Sequence, residues 1–247
     1  MTKPSGIGMV NPDWPAPANV RGFTTTRIGG FSGGPWSGLN LGGNCGDDPR
    51  HVEENRRLVS SLLPSEPRWL NQVHGTGTVS WREANDPGVE ADAIFSHHTG
   101  QVCAVLTADC LPVLFCDMSG TRVAAAHAGW RGLAAGVLEV CVQAMDCEPS
   151  EILAWLGPAI GPKAFEVGED VYDSFVEKED ENVIAFKPHG DRWLADLYLL
   201  ARLILTRTGI SLVSGGDHCT YHDSEKFFSY RRDSVTGRMA SLIWLEK

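Results

Sequence analysis

Cys110 and His127 are the two residues of this chain best placed to do chemistry together. They flank the stretch Thr107 to Gly132, which reads as strand, tight turn, strand and then a glycine-rich lead into a helix. Two apolar runs, Val113 to Cys116 and Val123 to Ala126, enclose Asp117-Met118-Ser119-Gly120. Asp at the first position and Gly at the fourth mark a type I turn. The turn lies midway between positions 110 and 127, so an antiparallel hairpin brings Cys110 beside His127 at its open end. A bulge at Gly120 would shift that register by one residue. A thiol and an imidazole held together suit a metal site, because both are ligands for zinc or copper. They also suit a nucleophile and its base. The bland alternative is a buried thiol beside a core histidine. The polar neighbours Thr107 and Asp109, framed by Gly129 and Gly132, weigh toward a site. Asp109 is a candidate for proton transfer or for orienting a ligand, with turn formation as its ordinary role.

Other segments must position this pair. Gly22 to Thr26 is β-prone. From Arg27 the chain becomes a long loop rich in glycine up to Gly43, and such a loop is either functional or mobile. Asp48 and Pro49 are suited to start a helix that runs to about Leu63, where Pro64 follows. Its charged residues Glu53, Glu54, Arg56 and Arg57 read as a solvated face. Trp69 to Val73 reads as a strand ending at His74-Gly75, with Thr78 to Trp81 a continuation. Ala93 to Phe95 and Gln101 to Thr107 are further strands. His97 and His98 are adjacent on a polar connection, point to opposite sides and read as surface residues. Gly132 to Met145 has the apolar spacing of one amphipathic helix, and its start, with Arg131, is a candidate anion site. Glu151 to Leu156 is a strand, followed by the loop Gly157 to Pro162, expected to line the same cleft. Helices are expected over Gly168 to Lys178 and Trp193 to Thr208, the second closed by Gly209. A short strand at Ser211 to Val213, a turn at Cys219 to Asp223, a loop at Phe228 to Arg232 and a last strand at Arg238 to Leu245 complete the chain.

At 247 residues the chain can bury a substantial core without disulfides or metals. Hydrophobic content of 43% and charged content of 21% are those of a soluble globular protein. A net charge of −10 argues against nucleic acid or an anionic membrane as partner. Seven cysteines lack any C-x-x-C pairing, which is cytosolic usage. The first residues lack an apolar signal core, and no stretch approaches a membrane span. A cytoplasmic protein is expected. Neither linker nor repeat divides it, so one domain over 1–247 is the economical reading.

Taken in order, the motifs resemble the bacterial laccase-domain family, whose members are called purine nucleoside phosphorylases, polyphenol oxidases or peptidoglycan editing factors. The match runs through Thr25-Thr26-Arg27-Ile28-Gly29-Gly30, Leu39-Asn40-Leu41-Gly42, Asn71-Gln72-Val73-His74-Gly75, Ala91-Asp92-Ala93 and Thr107 to Pro112. It continues in His127-Ala128-Gly129-Trp130-Arg131-Gly132, Gly157 to Pro162 and Phe228-Ser229-Tyr230-Arg231-Arg232-Asp233. The resemblance implies an α/β sandwich of mixed sheets and helices, distantly like bacterial cysteine-hydrolase toxins. It implies metal ligands at His74, Cys110 and His127, and a substrate-facing Asn40. A turn asparagine is the alternative for Asn40. Some members carry a cysteine pair where this chain has Lys163-Ala164, so no role for such a pair applies.

Three protein ligands leave one position of zinc open, the catalytic pattern. Adenosine deamination needs an activated water, and phosphorolysis needs a phosphate aimed at the sugar. Arg27, Arg131, Arg231 and Arg232 are candidate phosphate or ribose binders, since a guanidinium fork matches phosphate oxygens. The resemblance thus implies a zinc enzyme acting on purine nucleosides (adenosine, inosine and methylthioadenosine) and inorganic phosphate, with deaminase activity beside the phosphorylase, and expected to be a monomer. The second hypothesis is a cysteine hydrolase or amidase acting on peptidoglycan precursors, with Cys110 as nucleophile and His127 as base. A copper-dependent polyphenol oxidase ranks last, because multicopper sites use His-x-His clusters and the eight histidines here form none.

Overall fold

Runs rich in Val, Leu, Ile and Thr build short strands throughout the described residues, 6–86 and 88–247 of a computed structural model. In chain order they are β1 (Met9–Val10), β2 (Val20–Thr25), β3 (Thr78–Ser80), β4 (Ala93–Ser96), β5 (Cys103–Thr107), β6 (Leu111–Asp117) and β7 (Val123–Ala128). There follow β8 (Ile152–Leu156), β9 (Glu166–Val167), β10 (Phe186–His189), β11 (Arg192–Ala195), β12 (Leu212–Gly215) and β13 (Met239–Leu245). The helices are α1 (Pro49–Ser60), α2 (Trp130–Ala135), α3 (Val137–Ala144), α4 (Glu169–Val176), α5 (Leu197–Thr208) and α6 (Tyr230–Asp233). The signal-peptide reading fell mainly on residues 1–5, which lie outside the described residues.

A six-stranded sheet has the order β12-β8-β6-β7-β4-β3, and a four-stranded sheet the order β1-β2-β13-β5. A small third sheet is β10-β11-β9. Strand β6 shows how the layers are held. Leu111, Val113 and Phe115 pack on one side, with Leu138 and Cys141 of α3 and Leu200 and Ile204 of α5. Leu114 and Cys116 pack on the other, with Val105 of β5 and Ile243 and Leu245 of β13. All seven β6 residues are buried. Burying one such large apolar side chain contributes roughly 1.5–3 kcal/mol. On the outer face of the four-stranded sheet, Val59 of α1 packs with Leu39, Leu41 and Leu242. The result is the mixed α/β sandwich expected from the sequence: helices, sheet, sheet, helix.

The β6–β7 hairpin forms, one residue later than its turn signature suggests. Leu111 pairs with Ala128 and Pro112 with His127. The Asp117 carboxylate causes the shift by accepting the backbone N–H of Thr121 (2.7 Å) and of Arg122 (2.9 Å), which extends the turn to Arg122. Cys110 therefore sits just past the last pair, beside rather than opposite His127.

Four other expectations are corrected. The stretch 69–73 is not a strand; it makes only an isolated bridge, Asn71 to Glu90. The helix expected over 132–145 is broken at Gly136, whose φ of 103° caps α2 and restarts the chain as α3. Trp193 to Ala195 belong to β11, and α5 begins only after Asp196, whose carboxylate accepts the Leu199 N–H at 3.0 Å. Tyr230 to Asp233 form a helical turn rather than loop.

Candidate functional site

His127 lies near the end of β7 and is buried. Its Nδ1 stands 2.7 Å from Asp92 Oδ1. An ionised carboxylate only accepts, so Nδ1 carries the hydrogen and Nε2 is left as the ligand atom. Asp92 is itself buried, immediately before β4. Burial would raise its carboxyl, but the hydrogen bonds from His127 and from backbone N–H groups hold it below the usual carboxylate value.

Those N–H groups come from the loop that carries His74. Val73 (3.2 Å), His74 (3.0 Å) and Gly75 (2.7 Å) all donate to the Asp92 carboxylate. The wrapped loop puts His74 at φ 61°, in the left-handed region that non-glycine residues rarely occupy. A strand through His74 could not give this bend. Strained backbone of this kind persists where surrounding contacts over-determine it.

Cys110 follows a second such residue, Asp109 at φ 90°. Asp109 accepts the Thr220 hydroxyl (2.6 Å) and the Arg231 N–H (2.7 Å), and its carbonyl accepts the Ile160 N–H (2.9 Å). All of its observed bonds are structural ones that hold the bend presenting Cys110. Gly157 to Pro162 do not line the cleft; Ile160 supports Asp109 from behind.

The bends bring His74, Cys110 and His127 together, with their ligand atoms all within 4.8 Å of one another. Cys110 Sγ is 3.8 Å from His74 Nε2, close to the roughly 3.6 Å that separates N and S ligands across a tetrahedral zinc. The two imidazole rings meet edge to face at 4.8 Å. Gly129 closes the third side. A Cβ there would lie 2.9 Å from His74 Cδ2 and 3.1 Å from Cys110 Sγ, so no side chain fits. Burial would raise the Cys110 thiol, yet the charge of His127 and hydrogen bonds to both histidines bring it down to about 6. Burial would likewise lower His127, yet the Cys110 thiolate and Asp92 push it up to about 9. A stabilised thiolate with two imidazoles is a donor set that could hold a metal ion.

The triad lies on a cleft of about 830 Å³, in the size range of small-molecule sites. Two arginines line it. Arg56 stacks over Trp69 at 4.5 Å and donates through Nε to the Leu41 carbonyl (3.0 Å). Arg238 approaches the Tyr230 ring at 6.0 Å. Gly42 runs so close that a Cβ would lie 2.6 Å from Arg238 Cγ, which explains a glycine there.

The arginines singled out in the sequence lie elsewhere. Arg27 bonds the carbonyls of Ser224 and Ser37 and lies over Phe228. Arg131 is exposed and stacks on its neighbour Trp130 at 4.2 Å. Arg231 donates to the Glu166 carbonyl, and Arg232 to those of Thr220, Tyr221 and Phe227. Neither these four nor Asn40 lines the cleft. Asn40 is fully buried and braces the loop behind it, donating to Asp47 Oδ2 (2.9 Å) and accepting from the N–H groups of Gly42 and Arg238. Arg56, read from sequence as solvated, faces the cleft instead. Asp92 is the functional residue that motif reading misses; its signal in the sequence is a lone acid between two alanines at the start of a buried strand. Among the described residues, no helix is long and apolar enough to cross a membrane.

The family described as "Multi-copper polyphenol oxidoreductase laccase" matches residues 21–246. Purine nucleoside phosphorylase YfiH of Escherichia coli is 54% identical over 239 residues, covering 96% of this chain and 98% of that protein. A purine nucleoside phosphorylase of Pseudomonas aeruginosa is 55% identical over 240 residues, covering 96% and 98%. The crystal structure of a Neisseria meningitidis protein of family DUF152 superposes with a TM-score of 0.94 at 53% identity, covering 97% of this chain and all (100%) of that one. That of YlmD from Geobacillus stearothermophilus gives 0.88 at 31% identity, covering 97% of each chain.

Proposed function

The chain belongs to the multi-copper polyphenol oxidoreductase laccase family, and from that premise we propose that it is a zinc-dependent purine nucleoside phosphorylase that also deaminates adenosine. The observation that carries the reading is the His74–Cys110–His127 cluster on a cleft that also presents Arg56 and Arg238. The names of the similar proteins support the phosphorylase half. The deaminase half rests on the family resemblance and on the ligand count.

His74, Cys110 and His127 would hold the ion, and two imidazoles with one thiolate fit zinc. When bound, zinc supplies Lewis acidity to a water or a substrate atom. The chain's own groups supply the rest. Asp92 fixes the His127 tautomer and ring orientation. Arg56 and Arg238 offer charge-assisted bonds to a phosphate. Trp69 and Tyr230 offer flat apolar faces for a purine. Chromatography of adenosine incubations, with and without phosphate, tests the proposal. Adenine with ribose 1-phosphate, formed only with phosphate, and inosine formed in either case are expected. Cys110→Ala should abolish both.

One observation favours a second reading. Cys110, His127 and Asp92 are arranged as a nucleophile, its base and the group that orients the base. A cysteine amidase would keep Cys110 free of metal. Full activity on an amide in the presence of a strong chelator, with no nucleoside turnover, would decide for it.

A further inference from the structure

A second thiol–imidazole pair stands apart from the cleft. Cys219 Sγ lies 3.1 Å from His222 Nδ1 and accepts the Gly161 N–H at 3.2 Å. Gly161 is fitted to this thiol, since a Cβ there would lie 3.2 Å from Sγ. Cys219 is half-buried and His222 exposed, so a small reagent can reach the sulfur. The imidazole stands within reach of the thiol proton, the arrangement of a nucleophile and its base. No third ligand joins them among the described residues, where the only group of three or more potential metal ligands is His74, Cys110 and His127. Apart from Cys110 in the cleft, the remaining cysteines lack such a partner among the described residues. Cys103, Cys116 and Cys141 are buried and inert, and Cys45 and Cys147 have no imidazole beside them.

We propose that Cys219, activated by His222, is a thiol-modification site that forms mixed disulfides with low-molecular-weight disulfides and thereby acts on the metal cluster. The Cys219 thiolate attacks one sulfur of the disulfide. A new S–S bond forms at Cys219, the old one breaks, and the other half leaves as a thiolate, so no further oxidant is needed. The link to the cluster is short. Thr220, the next residue, donates to Asp109, which holds the bend that presents Cys110. A group on Sγ displaces the Gly161 N–H and pulls Thr220 away from Asp109.

The test uses the full-length, zinc-loaded protein. With iodoacetamide and peptide mapping by mass spectrometry, Cys219 should label on the order of tenfold faster than Cys45 and Cys147. His222→Ala should remove that advantage without changing Cys45. Oxidised glutathione should add one glutathionyl group, at Cys219, reversed by dithiothreitol and absent in Cys219→Ser. The adduct should release zinc to a chromophoric chelator at about tenfold lower chelator concentration, the loss a disturbed ligand support brings. Equal labelling of Cys219 and Cys45, or an unchanged rate in His222→Ala, overturns the activated thiol. An adduct with unchanged zinc release overturns the link to the cluster.

Discussion

Asp92 Oδ1 accepts the Nδ1 hydrogen of His127 at 2.7 Å, and the same carboxylate binds the backbone on both sides of His74. One buried side chain thus aims two of the three cluster residues, though they lie on separate segments.

Asp92→Asn should keep the size of the group but weaken its grip on His127 and reverse one hydrogen-bond direction. Metal affinity is expected to fall about 10- to 100-fold, the usual effect of losing a group that orients a ligand. Chelator competition measures it; an affinity equal to wild type would mean Asp92 does not orient the site.

Purified protein is expected to hold about one zinc per chain, and Cys110→Ala to hold little. Gly129→Ala should also lose affinity, because its Cβ meets His74 and Cys110. The fold should survive both substitutions, as the sandwich core does not depend on the cluster. Elemental analysis with circular dichroism would report both halves. Full metal in Cys110→Ala would make the ligand set wrong.

Arg56→Ala and Arg238→Ala should each raise the phosphate concentration needed for half-maximal rate. Loss of one charge-assisted bond costs roughly 1.5–3 kcal/mol, about 10- to 150-fold. Arg131→Ala, on an exposed side chain outside the cleft, should leave phosphate dependence within about twofold, the noise of a surface change. The reverse ranking would move the anion site to the start of α2.

Acid stability should depend on Asp117. Burial would raise its carboxyl, but bonds from Ser119, Thr121 and Arg122 hold it below the usual value of 3.8. Its folded pKa is depressed, so its contribution is complete above about pH 4 and is lost as acid protonates it below that range. Asp117→Asn should cost about 1–3 kcal/mol at pH 7, and the gap to wild type should narrow on acidification. Urea titrations at pH 7 and pH 3 compare them; a gap that widens in acid would have the wrong sign.

The sequence was most informative where neighbours in the chain are neighbours in space. The Asp117 turn, the pairing of β6 with β7 and the Asp48 cap all follow from local chemistry. It was least informative where a polar group finds a distant partner. Arg56 looked solvated because its helix is charged, yet Asn55 beside it is fully buried. Asn55 accepts the Phe31 N–H and donates to the Asn40 carbonyl, bonds across 24 and 15 residues. Those bonds draw α1 against the glycine loop and turn Arg56 inward. The strand expected at 69–73 failed similarly: its apolar residues fit a strand, but Val73 and the two residues after it give their backbone hydrogens to Asp92.

That last bond set has a kinetic meaning. The amides of Val73, His74 and Gly75 are tied to a carboxylate the fold itself supplies. The entropy of ordering His74 is therefore lost when the protein folds and not when an ion arrives. Protection of these three amides against hydrogen exchange should be nearly the same in stripped and reloaded protein. Metal capture would then run at the rate of ligand exchange on the ion, with no loop closure to wait for.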